Sequence, residues 1–164
     1  MSKDNYETFT SCGTPSPKGE FHGNANIWFY KKVDGKVYIL FQKRSKQVHN
    51  GGKYDTSAGG HVDKGETFVE AALREAKEEI GISLSPEEIY FLYGFNSGTS
   101  IFQVFLSDRT DKNDTFTLDP GEVESLEWVS LENLESFIEE NAKSPLRKNP
   151  FHLLALNSFF EAGK

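Results

Sequence analysis

A chain of 164 residues with 37% hydrophobic and 13% aromatic content is long enough to bury a core and too apolar for a disordered tail. Its net charge of −7 argues against a nucleic-acid backbone or an anionic membrane as partner, because like charges would have to meet. Cys12 is the single cysteine, so no internal disulfide is expected, and no apolar run approaches the ~18 residues of a membrane helix. These features, with an N-terminus that lacks the apolar stretch of a signal peptide, give the expectation of a reducing, cytoplasmic setting.

Residues 1–20 contain Gly13, Pro15, Pro17 and Gly19 and are expected to form an extended lead-in, followed by one domain over 21–164. Residues 24–31 and 36–44 are rich in β-branched and aromatic side chains, and Asp34-Gly35 between them signals a hairpin. A polar, Gly-containing loop over 45–53 leads to a short strand at 54–57. A helix opens near Thr67 and stops at Gly81, with Val69, Ala72, Leu73, Ala76 and Ile80 on one stripe. Strands are expected at 89–95 and 101–106 around a turn at Asn96-Ser97-Gly98, and after a charged loop at 108–114 again at 116–118 and 123–129. Ser130 is expected to cap a helix over 131–141 with Leu131, Leu134, Phe137 and Ile138 inward; Pro145 and Pro150 bracket a loop, and 151–160 form a last helix. This order of elements predicts a mixed sheet covered by helices, an α/β class whose topology the pattern alone leaves open.

The chemistry is concentrated in the central helix. Glu75, Glu78 and Glu79 (i, i+3, i+4) fall within an arc of roughly 100°, beside the apolar stripe. Three carboxylates that close repel one another and call for nearby cations or a hard divalent metal such as Mg²⁺ or Mn²⁺. The other reading is a solvated acidic face, partly neutralised by Arg74 and Lys77. The flanking residues bear on that choice. Gly60, five residues, Glu66, seven residues, Arg74-Glu75-Ala76, one residue, Glu78-Glu79, one residue and Gly81-Ile82 together resemble the signature of the Nudix hydrolase family at every strictly fixed position. Ala58 and Ala76 depart mildly from common family usage, and neither removes a ligand.

The resemblance implies an α/β/α sandwich with a mixed β-sheet and a metal-dependent hydrolysis. Water would attack phosphorus in a nucleoside diphosphate joined to another group, with Mg²⁺ or Mn²⁺ as cofactor. It implies Glu75, Glu78 and Glu79 as metal ligands with the Gly60 carbonyl beside them, and Glu66 paired with Arg74 to hold the preceding loop. The general base would be a signature glutamate (Glu78 or Glu79 among the catalytic candidates) or a later carboxylate. Glu122 is that later candidate, and Glu124, two residues on, is expected to share its face. The implied partner is a small-molecule phosphoanhydride, with neither nucleic acid nor membrane involved and room left for a homodimer.

The wording of residues 21–30 and 41–67 further resembles Nudix proteins related to isopentenyl-diphosphate isomerase. That isomerase has a cysteine two residues before a histidine; here the histidine matches His61 and the cysteine position is Gly59. Its later pair of glutamates has no counterpart in NSGTSIF, residues 96–102. Two groups that the isomerase needs are thus absent, so hydrolysis leads, with isomerisation and non-catalytic nucleotide sensing as the alternatives. His22 and His61 are a conceivable second metal pair by the same resemblance, set against ordinary bonded histidines. Tyr54, Trp28 and Phe29 could stack on a base or simply pack a core.

Overall fold

The computed structural model describes residues 21–141 and 151–162; the expected lead-in with Cys12 and the loop between Pro145 and Pro150 lie outside them. The predicted hairpin is present. β1 (His22–Val33) and β2 (Lys36–Arg44) pair from Tyr30↔Ile39 to Val33↔Lys36, across a turn in which Asp34 (φ 49°) and Gly35 (φ 75°) are both left-handed. Such a turn matches the natural twist of two strands, which is why Asp-Gly serves there.

β1 organises the sheet. Along one side it runs parallel to β6 (Ser100–Asp108), from His22↔Ser100 to Tyr30↔Asp108. On the other side it changes partner: β4 (Ala58–His61) pairs with Asn24–Ile27, and β2 takes over only from Tyr30. Beyond Ile39, β2 separates from β1, the two-residue β3 (Tyr54–Asp55) pairs with Gln42 and Lys43, and β7 (Val123–Ser130) runs antiparallel along the other edge of β2 from Tyr38 to Arg44. The sheet thus splits, and the chain from β3 to β4 crosses the split. Ser57, fully buried, bridges the break: its hydroxyl accepts from the Phe29 N–H (2.8 Å) and donates to the Leu40 carbonyl (2.6 Å). Ser57→Ala would leave both backbone groups without that partner in the core and should cost about 1–3 kcal/mol, measurable by denaturant unfolding.

Helices cover both faces. α1 (Phe68–Ile80) packs Phe68, Ala71, Ala72, Ala76 and Ile80 against Ala25, Ile27, Phe29, Leu40 and Phe105. On the opposite face Leu134 and Ile138 of α2 (Leu134–Asn141) and Leu156 and Phe160 of α3 (Phe151–Glu161) meet Trp28, Tyr30, Ile39, Phe41, Val104 and Leu106. The fold is an α/β/α sandwich with a mixed sheet, ordered β3-β2-β1-β6-β5, with β5 (Tyr90–Ser97) at one end. Trp28 and Phe29 are core residues, closed to any ligand base. Among the described residues no helix is long and apolar enough to cross a membrane.

Three expectations need correction. Residues 116–118 form no strand: the Thr117 and Asp119 N–H groups donate to the Ile80 and Glu79 carbonyls (3.0 Å each), so this segment satisfies the open end of α1. Ser130 makes no side-chain cap bond, and the helix after it begins with a 3₁₀ turn at Leu131–Asn133. The strand expected at 54–57 is the short β3, and the signature's own Ala58–His61 is a strand the periodicity did not show.

Candidate active site

α1 begins in a capping box, with the Glu70 N–H on the Thr67 hydroxyl and the Thr67 N–H on the Glu70 carboxylate. It ends at Gly81, left-handed at φ 75°, where a Cβ would stand 2.8–2.9 Å from Thr117. Between these stops the helix is amphipathic with one exception: Glu79, 6% exposed, sits on the buried face among Phe68, Ala72 and Ala76.

That exception marks the split in the sheet. The Gln42 side chain of β2 and the backbone N–H of Gly59 in β4 both donate to Glu79 Oε2, each at 2.9 Å. One carboxylate thus spans the two banks. Burial pushes the Glu79 carboxyl up to about 8, against the Gly59 hydrogen bond and with help from the charges of Glu75 and Asp55. Burial also raises Glu75, although Arg74 opposes the shift.

Arg74 ties the signature together. Its Nε and Nη2 reach Glu66 Oε1 and Oε2 at 2.9 and 3.0 Å, while Nη2 also donates to the His61 carbonyl at 2.8 Å. Nη1 reaches Glu75 Oε1 at 2.9 Å and Glu78 Oε2 at 3.1 Å. Hydrogen bonding to Glu66 raises the guanidinium further above its usual range. Burial alone would raise Glu66, but its bonds to Arg74 and to the Asp63 N–H hold it below its usual value. Glycine at 60 lets the Glu75 carboxylate lie against this strand: a Cβ would stand 2.6 Å from its Cδ and displace the carboxylate from Arg74.

Gly60, Arg74, Glu75, Glu78, Glu79 and Glu122 line one cavity of about 700 Å³; Glu66 stands behind Arg74 and does not reach it. Glu122 lies in the turn before β7, its carbonyl accepting from the Ser45 N–H at 2.8 Å. Glu124 does not share its surroundings: it pairs with Lys43 Nζ at 2.8 Å on the exposed edge and is absent from the cavity wall. The two fail to alternate as strand neighbours because β7 begins only at Val123, opposite a register shift at Lys43/Arg44.

Sequence reasoning missed Gln42, Arg44, Asn24 and Asn26. The last three also line the cavity, and a polar Asn24-x-Asn26 alternating with buried Ala25 and Ile27 was the available signal. Nothing marks Gln42 in sequence, since a polar residue ending an apolar strand is ordinary. Tyr54 points to Glu127 (2.6 Å) and Phe137, away from this wall.

A hard cation suits the donors present: three carboxylates face one space, two of them in surroundings that penalise their charge. Arg74 is the cation between Glu75 and Glu78 here, and among the described residues no three acidic or histidine side chains are already gathered as a cage. His22 and His61 stand edge to face at 6.4 Å, and no third ligand completes a site with them among the described residues. Gly59 leaves no room for the cysteine of an isomerase, because a Cβ there would meet the Ala25 carbonyl at 2.8 Å and Asn26 Cα at 3.0 Å.

A NUDIX domain family model matches residues 20–151. Over 121 residues the chain is 36% identical to an uncharacterized Nudix hydrolase of Listeria innocua, covering 72% of this chain and 69% of that one. It is 28% identical over 131 residues to an uncharacterized Nudix hydrolase of Clostridium acetobutylicum, covering 74% of this chain but only 63% of that relative's length. The resemblance to the isomerase branch also holds: an isopentenyl-diphosphate Δ-isomerase of Aliivibrio fischeri is 25% identical over 138 residues, covering 76% and 74%. A crystal structure of a Deinococcus radiodurans protein superposes with a TM-score of 0.65 at 26% identity, covering 84% of this chain and 86% of that one. A signature loop locked by Arg74, a helix presenting its glutamates to one cavity and a matching family model agree, and the chain belongs to the Nudix hydrolase family.

Proposed function

We propose that this protein is a Mg²⁺- or Mn²⁺-dependent pyrophosphohydrolase that cleaves a nucleoside diphosphate joined to another group, by water attack on phosphorus. The observation that carries the reading is the convergence of Glu75, Glu78 and Glu79 on one open cavity, with Glu79 buried and Glu75 half-buried. These three would hold the metal, with the Gly60 carbonyl beside them. The metal, when bound, would offset charge on the phosphate oxygens and lower the pKa of the attacking water. Glu66 and Arg74 position the loop that carries Gly60 and His61. Arg44, held by Asp55 (3.4 Å) and the His49 carbonyl (3.1 Å), offers a guanidinium to the phosphates from the opposite bank. Glu122, on the same wall, is the proposed general base.

Intact ligands speak against a purely sensing role, and the crowded Gly59 speaks against isomerisation. A screen of nucleoside diphosphate derivatives tests the proposal. Product should form with Mg²⁺ or Mn²⁺, stop in chelator and return with excess metal. Full turnover in chelator would remove the metal from the mechanism. Conversion of isopentenyl diphosphate to dimethylallyl diphosphate, with no hydrolysis of any phosphoanhydride, would replace hydrolysis by isomerisation.

A further inference from the structure

Of the aromatic residues that could stack on a base, Trp28 and Phe29 are in the core and Tyr54 points away. The ring that does stand on the cavity wall is Phe102 of β6. Strand register puts it there. Asn24 and Asn26 alternate along β1 with Ala25 and Ile27, which pack with α1, so both amides stand on the other face of the sheet. Phe102 is level with Asn24 on one side and with Phe95 of β5 on the other. Phe95 and Phe102 stack with their ring planes 1° apart and their centroids 4.6 Å apart. One face of the Phe102 ring is therefore taken, on the side away from β1. The other turns toward Asn24 and the cavity.

The polar groups beside that ring are amides, not charges. Asn26 lies opposite Gly59, where a Cβ would stand 2.5 Å from the Asn26 Oδ1, so glycine makes room for the amide. The Thr56 hydroxyl donates to the same oxygen at 3.3 Å and steadies it. Asn24, half-buried on the same wall, brings a second amide. An amide offers a donor beside an acceptor, the pattern on the edge of a nucleobase, and a base lying on Phe102 would turn its edge to these two. An alkyl chain is a poorer fit, because it would shut both amides away from water without partners. A ring bearing further phosphates would meet no cation among these three residues, since Arg44 stands on the opposite bank. β1 lies between β4, whose Gly59 bonds Glu79, and β6. Two strand spacings, roughly 10 Å, leave room for a sugar between a phosphate at β4 and a ring at β6. We infer that Phe102, Asn24 and Asn26 form the nucleobase subsite of the cavity, the base stacking on the open face of Phe102 with its edge on the amides. This deepens the hydrolase reading and rests on it, because that reading sets the diphosphate beside Glu75, Glu78 and Glu79.

Calorimetric titration of the full chain in Mg²⁺ with ribose 5-phosphate and with AMP, GMP, CMP and UMP tests the subsite. None of these probes contains a phosphoanhydride, so binding is read without turnover, and the nucleotides add a base to the same sugar phosphate. At least one nucleotide should bind about tenfold or more tighter than ribose 5-phosphate, the usual gain from stacking one base on an aromatic ring. Phe102→Leu keeps an apolar side chain without a ring face and should close most of that gap, with the affinity for ribose 5-phosphate unchanged. Asn24→Ala should close part of it. In the wild type, nuclear Overhauser contacts should run from the protons of the bound base to the Phe102 ring, a readout that needs no variant. No nucleotide binding tighter than ribose 5-phosphate, a gap untouched by Phe102→Leu, or a bound base without contact to Phe102 would overturn the subsite. The two readings fail separately. Hydrolysis of nucleoside diphosphate derivatives without a gap in binding would keep the hydrolase and remove the subsite, whereas a Phe102-dependent gap without any hydrolysis would keep the subsite and remove the hydrolase.

Discussion

Glu79→Gln should abolish turnover and at the same time stabilise the metal-free protein. A glutamine of the same shape can still accept from Gln42 and the Gly59 N–H through its one carbonyl oxygen, so the split in the sheet stays bridged. What it lacks is the anionic charge, and kcat should fall at least about 10²-fold, with a weaker rise in melting temperature on adding Mn²⁺. The stability gain follows from the folded carboxyl being raised to about 8 by burial, above its ordinary value of 4.5. Below pH 4.5 both folded and unfolded chains keep the proton and nothing is lost. As pH rises the unfolded chain ionises freely while the folded one does not, so wild-type stability drains away up to about pH 8 and then levels off. In chelator at pH 8 the variant should therefore exceed the wild type by up to a few kcal/mol, and the two should converge near pH 4. Thermal melts across pH check the first half and initial rates the second. A variant less stable than wild type at pH 8 would show that Glu79 is held ionised, and normal turnover would remove it from the ligand set.

Glu122→Gln should lower kcat by roughly 10²–10⁴-fold, the usual contribution of a positioned base, with KM and Mn²⁺ affinity nearly unchanged. Its carboxylate stands on the cavity wall, and its backbone is held by the Ser45 N–H through a carbonyl that substitution does not touch. If Glu122 ligates metal instead, excess Mn²⁺ should recover much of the loss. Turnover within a few-fold of wild type would place the base on α1. Glu124→Gln is now a clean control and should change little, because that carboxylate serves Lys43 on the exposed edge.

The local devices were legible in the sequence because their causes are local. Asp34-Gly35 needs two left-handed residues, Thr67 and Gly81 start and stop α1 through bonds within a turn or two, and the i, i+3, i+4 spacing sets three glutamates side by side. Gly60, Glu66 and Arg74 were recognisable as a set, although their mutual bonds had to be seen. Tertiary structure decided the rest. Period-3.6 counting gave Val69, Ala72, Leu73, Ala76 and Ile80 as the inward stripe and could not say that Glu79 is buried, since burying a carboxylate makes sense only once Gln42 and Gly59 are known to meet it. It could not distinguish Glu122 from Glu124, because the β2–β7 register skips Glu124, with Lys43 opposite Ser125 and Arg44 opposite Val123, and so separates two residues that simple alternation keeps together. Residues 116–118 have strand chemistry but answer the open carbonyls at the end of α1. The cavity exists because β1 trades β4 for β2 halfway along its length, and partner exchange between strands far apart in the chain leaves no mark on any one of them.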